Sequence, residues 1–203
     1  GWANLLARRW KDAVDDYSRA LQLGSDNPQV VTQRADASAE LGEWEAVTAD
    51  LERAAATDPD DYLARYQLGV SYLARNDTSA YGRVCAAMLE HFMQSPSAHA
   101  ANDVAWACVL TSGATPDQTP VLELAKRAVG QDPKNYYFLN TLGAAHFRSG
   151  DYPSAVTTLG DAMRAHNGEF LDQVTSGSVV QQAIPARLVS DEKGTAYDWF
   201  FMA

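Results

Sequence analysis

The chain has 203 residues, 46% hydrophobic side chains and a formal net charge of −10. This acidity argues against a nucleic-acid partner, because affinity for a phosphate backbone depends on clustered Lys and Arg. No stretch approaches the roughly 20 uninterrupted apolar residues of a membrane span, and no signal peptide opens the sequence. We therefore expect neither nucleic acid nor a membrane as a partner.

The two cysteines and four histidines give no sign of a bound group. Cys85 and Cys108 fall at apolar helical positions without paired spacing, which favours reduced core thiols and a cytoplasmic location. His91 and His99 flank one interhelix turn, and a metal held between them with a cysteine can be imagined. Histidines beside a turn need no ligand to explain them, so we predict no metal and no cofactor.

Small or apolar residues recur along the chain at a step of 34. Ala20, Ala54 and Met88 are 34 residues apart, and after a longer step the same interval separates Ala128 from Ala162. A fixed period of this length predicts stacked helix-turn-helix repeats. We call the first and second helix of each repeat helix A and helix B.

The repeats follow one another in chain order. Residues 1–27 form a partial repeat whose helix B runs from about Lys11 to Leu23, because Gly1 aligns with the middle of a helix A. Full repeats are predicted at 28–61, 62–95, 97–135 and 136–169, the third of these carrying a turn-rich loop at 112–120. Residues 170–194 have no clear helical period and are predicted to be an irregular insertion. Residues 195–203 then resemble most of a further helix A, so we expect a fragment of a longer protein.

The turn inside each repeat has a recurrent composition. It reads Gly42-Glu43-Trp44 and Gly150-Asp151-Tyr152, and Asn76-Asp77-Thr78 lies 34 residues after the first. Gly or Asn supplies a left-handed residue that ends helix A, and the acidic residue can cap helix B. Small residues in the middle of helix A mark close helix contacts: Ala35, Gly69, Ala105 and Gly143.

These positions resemble the signature of the tetratricopeptide repeat family, and the clearest copy is residues 140–155. The resemblance covers nearly the whole chain and implies an all-α fold, a right-handed α-solenoid that forms a single domain over residues 1–203. A narrower resemblance involves residues 102–110, 132–136, 139–144 and 196–201. They are similar to C-terminal repeat regions of planctomycete proteins that carry a serine/threonine kinase, WD40 or sigma-factor region, which implies an accessory module of a bacterial signalling protein.

In tetratricopeptide repeats helix A lines a concave groove, which we project onto residues near the small position. Asn102 and Asn140 suit a peptide backbone, because an amide both donates and accepts hydrogen bonds. Trp106 can equally be inter-repeat core, and Asp50 is expected on the outer face. The predicted groove residues are Thr32, Asp36, Tyr66, Val70, Asn102, Trp106, Val109, Tyr137, Asn140 and Phe147.

The sequence contains none of the common nucleophile, phosphate-binding or metalloprotease motifs, so we predict no enzyme. The predicted function is protein interaction, with a peptide or helical segment bound in the groove from another protein or from the same chain. Residues 1–61 carry 13 acids against 6 bases, so a partner of this part is expected to be basic. The alternative is a structural module that self-associates through its exposed repeat ends while the groove stays unoccupied.

Overall fold

The computed structural model describes residues 1–25 and 27–175, and all regular secondary structure in these ranges is α-helical. None of the described helices combines the length and apolar character that crossing a membrane requires. The described helices are α1 (Trp2–Leu6), α2 (Trp10–Gln22), α3 (Pro28–Glu40), α4 (Trp44–Thr57), α5 (Tyr62–Ala74), α6 (Thr78–Phe92), α7 (Ala98–Val109), α8 (Thr119–Gln131), α9 (Tyr136–Arg148) and α10 (Tyr152–Thr175).

Short polar side chains fix where several helices begin. The side-chain oxygen of Asn27 accepts a hydrogen bond from the Gln29 N–H at 3.0 Å, and Asn135 does the same for the start of α9. Asp61 accepts from the Ala64 N–H at 2.9 Å. Each of these contacts satisfies a backbone donor that has no partner inside the helix.

The predicted left-handed residues end three of the helix A segments. Gly42, Asn76 and Gly150 have φ angles of 75°, 58° and 83°, so this prediction is confirmed. The acidic residue that follows caps the next helix in two cases. Asp77 accepts from the Ala80 N–H at 2.8 Å and Asp151 from the Ser154 N–H at 3.2 Å.

The helices form two compact units. The N-terminal unit contains Gly1–Ser95 and Leu110–Asp117, and the C-terminal unit contains Pro96–Val109 and the described part of Gln118–Ala203. Each unit has one buried cysteine that forms no disulfide, Cys85 or Cys108.

The core of the N-terminal unit lies between consecutive repeats. Ala35 of α3, Val47 and Leu51 of α4, and Leu68 of α5 form one buried cluster, against which Trp44 packs. Because the cluster takes residues from both helices of one repeat and from the next helix A, each repeat stabilises its neighbour.

In the C-terminal unit, the contact between α9 and α10 explains why helix A has a small residue in its middle. A Cβ atom placed on Gly143 would lie 2.6 Å from Cγ of Leu159, so α9 and α10 approach more closely than any side chain would allow. Ala105, the corresponding residue of α7, is fully buried. The predicted close contact is therefore confirmed at Gly143, and at Ala105 it stays a prediction.

The last described helix is longer than the sequence predicts. Helix α10 runs to Thr175, so residues 170–175 of the predicted irregular insertion are helical. Met163, Phe170 and Val174 are spaced by seven and then four residues, which continues the helical period and explains the extension. Residues 176–194, and the partial repeat predicted at 195–203, lie outside the described residues.

Candidate peptide-binding surfaces

Helix A segments of consecutive repeats lie side by side within each unit. In the N-terminal unit, Gln67 Nε2 of α5 lies 3.4 Å from Asp36 Oδ1 of α3. In the C-terminal unit, Arg148 Nε of α9 donates to the backbone oxygen of Val109 of α7 at 2.7 Å. We therefore describe two surfaces separately. The N-terminal face comprises Thr32, Asp36, Tyr66, Gln67 and Val70, and the C-terminal face comprises Asn102, Asp103, Trp106, Tyr137, Asn140 and Phe147.

The N-terminal face is accessible at every predicted position. Thr32, Tyr66 and Val70 are half-buried, and Asp36 is exposed. The Thr32 hydroxyl donates to the Gln29 carbonyl at 3.2 Å and so has one hydrogen bond within its own helix. This face therefore offers an aromatic ring, an aliphatic side chain and a carboxylate to a partner.

The Asp36 carboxyl has an unusual environment for an exposed group. Surrounding protein atoms exclude part of its water and raise the pKa of Asp36 above the ordinary value. Burial of the Tyr17 phenol, followed by the nearby charges of Asp36 and Asp16, raises the pKa of Tyr17. Among the described residues no Lys or Arg forms an ion pair with Asp36. The carboxylate is thus a partly dehydrated negative charge without a neighbouring cation to stabilise it.

The C-terminal face exposes aromatic surface around two nearly buried amides. Tyr137 is 65% exposed and Phe147 38%, whereas Asn102 and Asn140 are 7% and 5% exposed. Trp106 is half-buried, which is compatible with both roles predicted for it, inter-repeat core and groove.

Val109 does not belong to an accessible surface. Its side chain is fully buried, so it cannot contact a partner, and we leave it out of the proposed binding set. The residue lies in the last turn of α7, and its carbonyl accepts a hydrogen bond from Arg148 Nε. The projection along helix A could not anticipate this contact, because Arg148 is 39 positions away in the sequence.

Sequence reasoning missed the partner of Asn102. Asn102 Nδ2 donates to the Asp103 carboxylate at 2.9 Å, while Asn102 Oδ1 accepts no hydrogen bond from the described residues. Partial burial raises the pKa of Asp103, although this hydrogen bond and nearby His99 act in the opposite direction. The amide therefore retains an acceptor without a hydrogen bond from the described residues, and this oxygen is itself buried.

Asp50 was expected on the outer face, and this expectation is wrong. Asp50 is only 4% exposed and accepts hydrogen bonds from Arg34, with the Arg34 Nε lying 2.8 Å from Asp50 Oδ2. The sequence contained a signal for this pair. Arg34 precedes the small residue of its helix A, a position filled by an apolar residue in the later repeats, such as Leu68 and Leu142.

The histidines do not gather potential metal ligands. His91 Nε2 lies 2.6 Å from Asp60 Oδ1, and the His99 ring packs edge-on against Phe138 with centroids 5.4 Å apart. In the part of the chain that the structure describes, no three His, Cys, Asp or Glu side chains lie close enough to hold a metal ion.

A protein-family model matches part of this chain. It is a tetratricopeptide repeat model and covers residues 122–169, which include most of α8, all of α9 and the first part of α10. No curated protein sequence matches the chain.

Solved structures share the fold at low sequence identity. The MamA RS-1 ArsTM double mutant is 18% identical with a TM-score of 0.60, over 83% of this chain and 91% of that chain. A crystal structure of MamA is 14% identical with a TM-score of 0.58, over 82% and 94%. MamA residues 41 to the end from Desulfovibrio magneticus RS-1 is 18% identical with a TM-score of 0.50, over 79% and 96%.

These similarities support the fold class and not a shared partner. The described part of the chain is all-α and has the tetratricopeptide solenoid fold of the MamA structures, so the predicted fold class is confirmed. The recurring residues predict tetratricopeptide repeats, and residues 122–169 match the model of that family.

Proposed function

We propose that this protein is a non-catalytic interaction module that binds a peptide or helical segment through the helix A residues of its repeats. Tetratricopeptide repeats in general support protein interaction. The finer proposal is that each of the two faces defined above is a contact surface of its own unit, in an accessory part of a larger signalling protein. The buried cysteines Cys85 and Cys108, which form no disulfide, support a reducing, cytoplasmic location.

One observation carries the proposal of peptide binding. Asn102 has a buried acceptor without a hydrogen bond from the described residues, beside the half-buried ring of Trp106. A buried acceptor left without a donor costs about 1–3 kcal/mol. A ligand N–H that reaches this oxygen after the side chains around it move would remove that cost. Exposed Tyr137 adds aromatic surface with a hydroxyl at its tip, a combination enriched at protein interfaces.

The N-terminal face favours a basic partner. Asp36 is partly dehydrated and has no ion pair with a described Lys or Arg, so a partner's Lys or Arg would replace lost hydration. The excess of acids in residues 1–61 adds a longer-range field that attracts the same partners. The expected ligand is therefore a segment that combines basic side chains with apolar ones.

The proposal is tested by selecting binding peptides from a random library displayed on phage and titrating the best one against variants. Replacing Tyr66 and Asn102 by Ala should weaken binding by about 1–2 kcal/mol each, the usual range for central contact residues. Arg53→Ala and Lys126→Ala, at exposed positions on helix B of two repeats, are the controls and should bind like the wild type. Thermal melting checks that each variant stays folded.

Equal affinity of the wild type and the Tyr66→Ala, Asn102→Ala double variant would remove the groove proposal. The alternative function would then stand, namely a structural module that associates through its repeat ends. Exposed apolar side chains favour this alternative, since Trp2 and Leu6 of α1 are 61% and 62% exposed. A solution mass that increases with concentration would support it.

A further inference from the structure

The Asp103 carboxylate of α7 is half-buried in the C-terminal unit and forms no ion pair with a described Lys, Arg or His. Burial raises its pKa above the ordinary value, although the hydrogen bond from Asn102 and the nearby His99 act in the opposite direction. A partly dehydrated carboxylate of this kind is stabilised by a cation that approaches it.

Helix α9 lies beside α7 in a defined register. The His99 ring packs edge-on against Phe138 with centroids 5.4 Å apart, and the Val109 carbonyl accepts from Arg148 Nε at 2.7 Å. Both contacts join residues that are 39 positions apart in the sequence. The two helices are therefore parallel and keep the same offset along their shared length.

This register places apolar residues of α9 opposite Asp103. An offset of 39 pairs Asp103 with Leu142 and Trp106 with Ala145. Neither Leu142 nor Ala145 has a side chain that can donate a hydrogen bond to the carboxylate or neutralise it. The half-buried Trp106 ring follows Asp103 by three residues, so the two side chains are neighbours on α7. An aromatic ring and apolar residues thus border the carboxylate.

Asn102 holds this carboxylate in place at a cost to its own burial. It is only 7% exposed, and its Nδ2 donates to Asp103 Oδ1 at 2.9 Å. The buried Oδ1 of the amide accepts no hydrogen bond from the described residues, which is unfavourable. Because Oδ1 and Nδ2 are bonded to the same carbon, this oxygen lies within a few ångströms of the Asp103 carboxylate. Asn102 is therefore a positioning residue for Asp103.

We propose that Asp103, positioned by Asn102 and bordered by Trp106, binds one arginine side chain of the peptide on the C-terminal face. This inference rests on the proposed function, because it names a side chain of the bound peptide. The guanidinium has a fork of N–H donors that matches both oxygens of a carboxylate, and its plane stacks on aromatic rings, whereas Lys offers a compact point charge. A further N–H of the same group can reach the Asn102 oxygen after the side chains around it move.

Two parallel selections on the full chain test the inference. A random peptide library displayed on phage is selected on the wild type, once directly and once after depletion on immobilised Asp103→Asn. This change removes the charge and keeps the shape of the side chain. The depleted library should return peptides that contain Arg. The matched control is depletion on Glu123→Gln, a neutralised exposed acid of α8, which should remove the binders.

Substitution within a selected peptide identifies the arginine. Each Arg is replaced in turn by citrulline, which has nearly the same shape without the charge. At one position this should weaken binding to the wild type about tenfold and leave binding to Asp103→Asn unchanged. Asn102→Leu should lower the ratio between the Arg and citrulline affinities, while thermal melting shows that the fold is retained. A residue with a purely structural role would not change this ratio.

The outcomes distinguish this inference from the proposed function. Binders from the direct selection but none from the depleted one would overturn the arginine site and leave peptide binding standing. A citrulline loss that is equal for the wild type and Asp103→Asn would place the arginine elsewhere on the protein and would also overturn the site. An unchanged affinity ratio in Asn102→Leu would contradict the positioning role. A library without any binder would remove the proposed function and this inference together.

Discussion

Arg34 and Asp50 join two helices through a paired hydrogen bond inside the N-terminal unit. Two guanidinium nitrogens of Arg34, on α3, contact both carboxylate oxygens of Asp50, on α4, and a third nitrogen lies 3.2 Å from the Ser18 hydroxyl of α2. The planar guanidinium has the fork geometry that such a pair requires, which Lys lacks. One side chain therefore connects three consecutive helices at a position where later repeats have an apolar residue.

Removing Asp50 should destabilise the protein strongly. Asp50→Ala leaves the guanidinium of Arg34, which is 25% exposed, without its carboxylate, and we expect a loss of about 2–4 kcal/mol. Adding Arg34→Leu should recover much of this loss, because the next repeat already has Leu68 at the equivalent position. Urea denaturation of the two single variants and the double variant measures both effects. A change below about 0.5 kcal/mol for Asp50→Ala would show that the pair contributes little.

The fold could be predicted because its determinants are local and repeated. Gly42, Asn76 and Gly150 recur at fixed positions, and a left-handed residue at a helix end is a property of a few neighbouring residues. Close helix contacts are also visible, since only a small residue fits beside Leu159 at Gly143. Because such residues recur at the same position in several repeats, the sequence alone reveals them.

The candidate site was less predictable because it depends on partners that do not repeat. Asp50 was expected on the surface, yet it is buried by Arg34, a residue that occurs at this position in one repeat only. Val109 was expected on the groove and is fully buried, and its carbonyl accepts a hydrogen bond from Arg148. Arg34 and Arg148 are distant in sequence from the residues that they contact, so the repeat pattern does not reveal these contacts.

Two glycines test the close contact in the C-terminal unit. Gly143→Ala places a Cβ against Leu159, and Gly143→Leu should overpack the α9–α10 contact and cost about 1–3 kcal/mol. Gly130→Ala is the matched control, because its Cβ would meet no atom within 4 Å on the helix α8. That change should stabilise the protein by up to about 1 kcal/mol. Denaturation midpoints that fall equally for Gly143→Ala and Gly130→Ala would contradict the proposed contact.

The left-handed residues at two helix ends predict that substitutions in these two turns have different effects on stability. Gly150→Ala should cost about 1–2 kcal/mol, because an L side chain is strained at its φ of 83°. Asn76 already adopts a left-handed conformation with φ of 58°, so Asn76→Gly should change stability by less than about 0.5 kcal/mol while Asn76→Ala should destabilise. Thermal melting of the three variants measures the contrast. Equal stability of Gly150→Ala and the wild type would remove the conformational explanation.

Asp36 predicts how pH changes the stability of the protein. Its folded-state pKa is raised above the ordinary value, so the folded protein binds more protons than the unfolded chain in the window just above that value. The contribution of Asp36 is therefore most favourable at low pH and is lost as pH rises through the folded pKa. Asp36→Asn should raise stability at neutral pH. It should also reduce the dependence of the urea midpoint on pH between the ordinary and the raised pKa.

The same carboxyl predicts the opposite pH dependence for binding of a basic peptide. At neutral pH Asp36 is ionised and attracts a Lys or Arg side chain. Acidification through its raised pKa protonates it and should weaken binding. Asp36→Asn should lower affinity at neutral pH and flatten the pH profile, and added salt should slow association of the wild type more than of the variant.

The measurement is a calorimetric titration of an Arg-containing peptide at several pH values, with stopped-flow association at low and high salt. The control is Glu45→Gln, a neutralised exposed acid on α4 outside the proposed face, which should keep the pH profile of the wild type. Identical pH profiles for the wild type and Asp36→Asn would show that Asp36 does not contact the peptide.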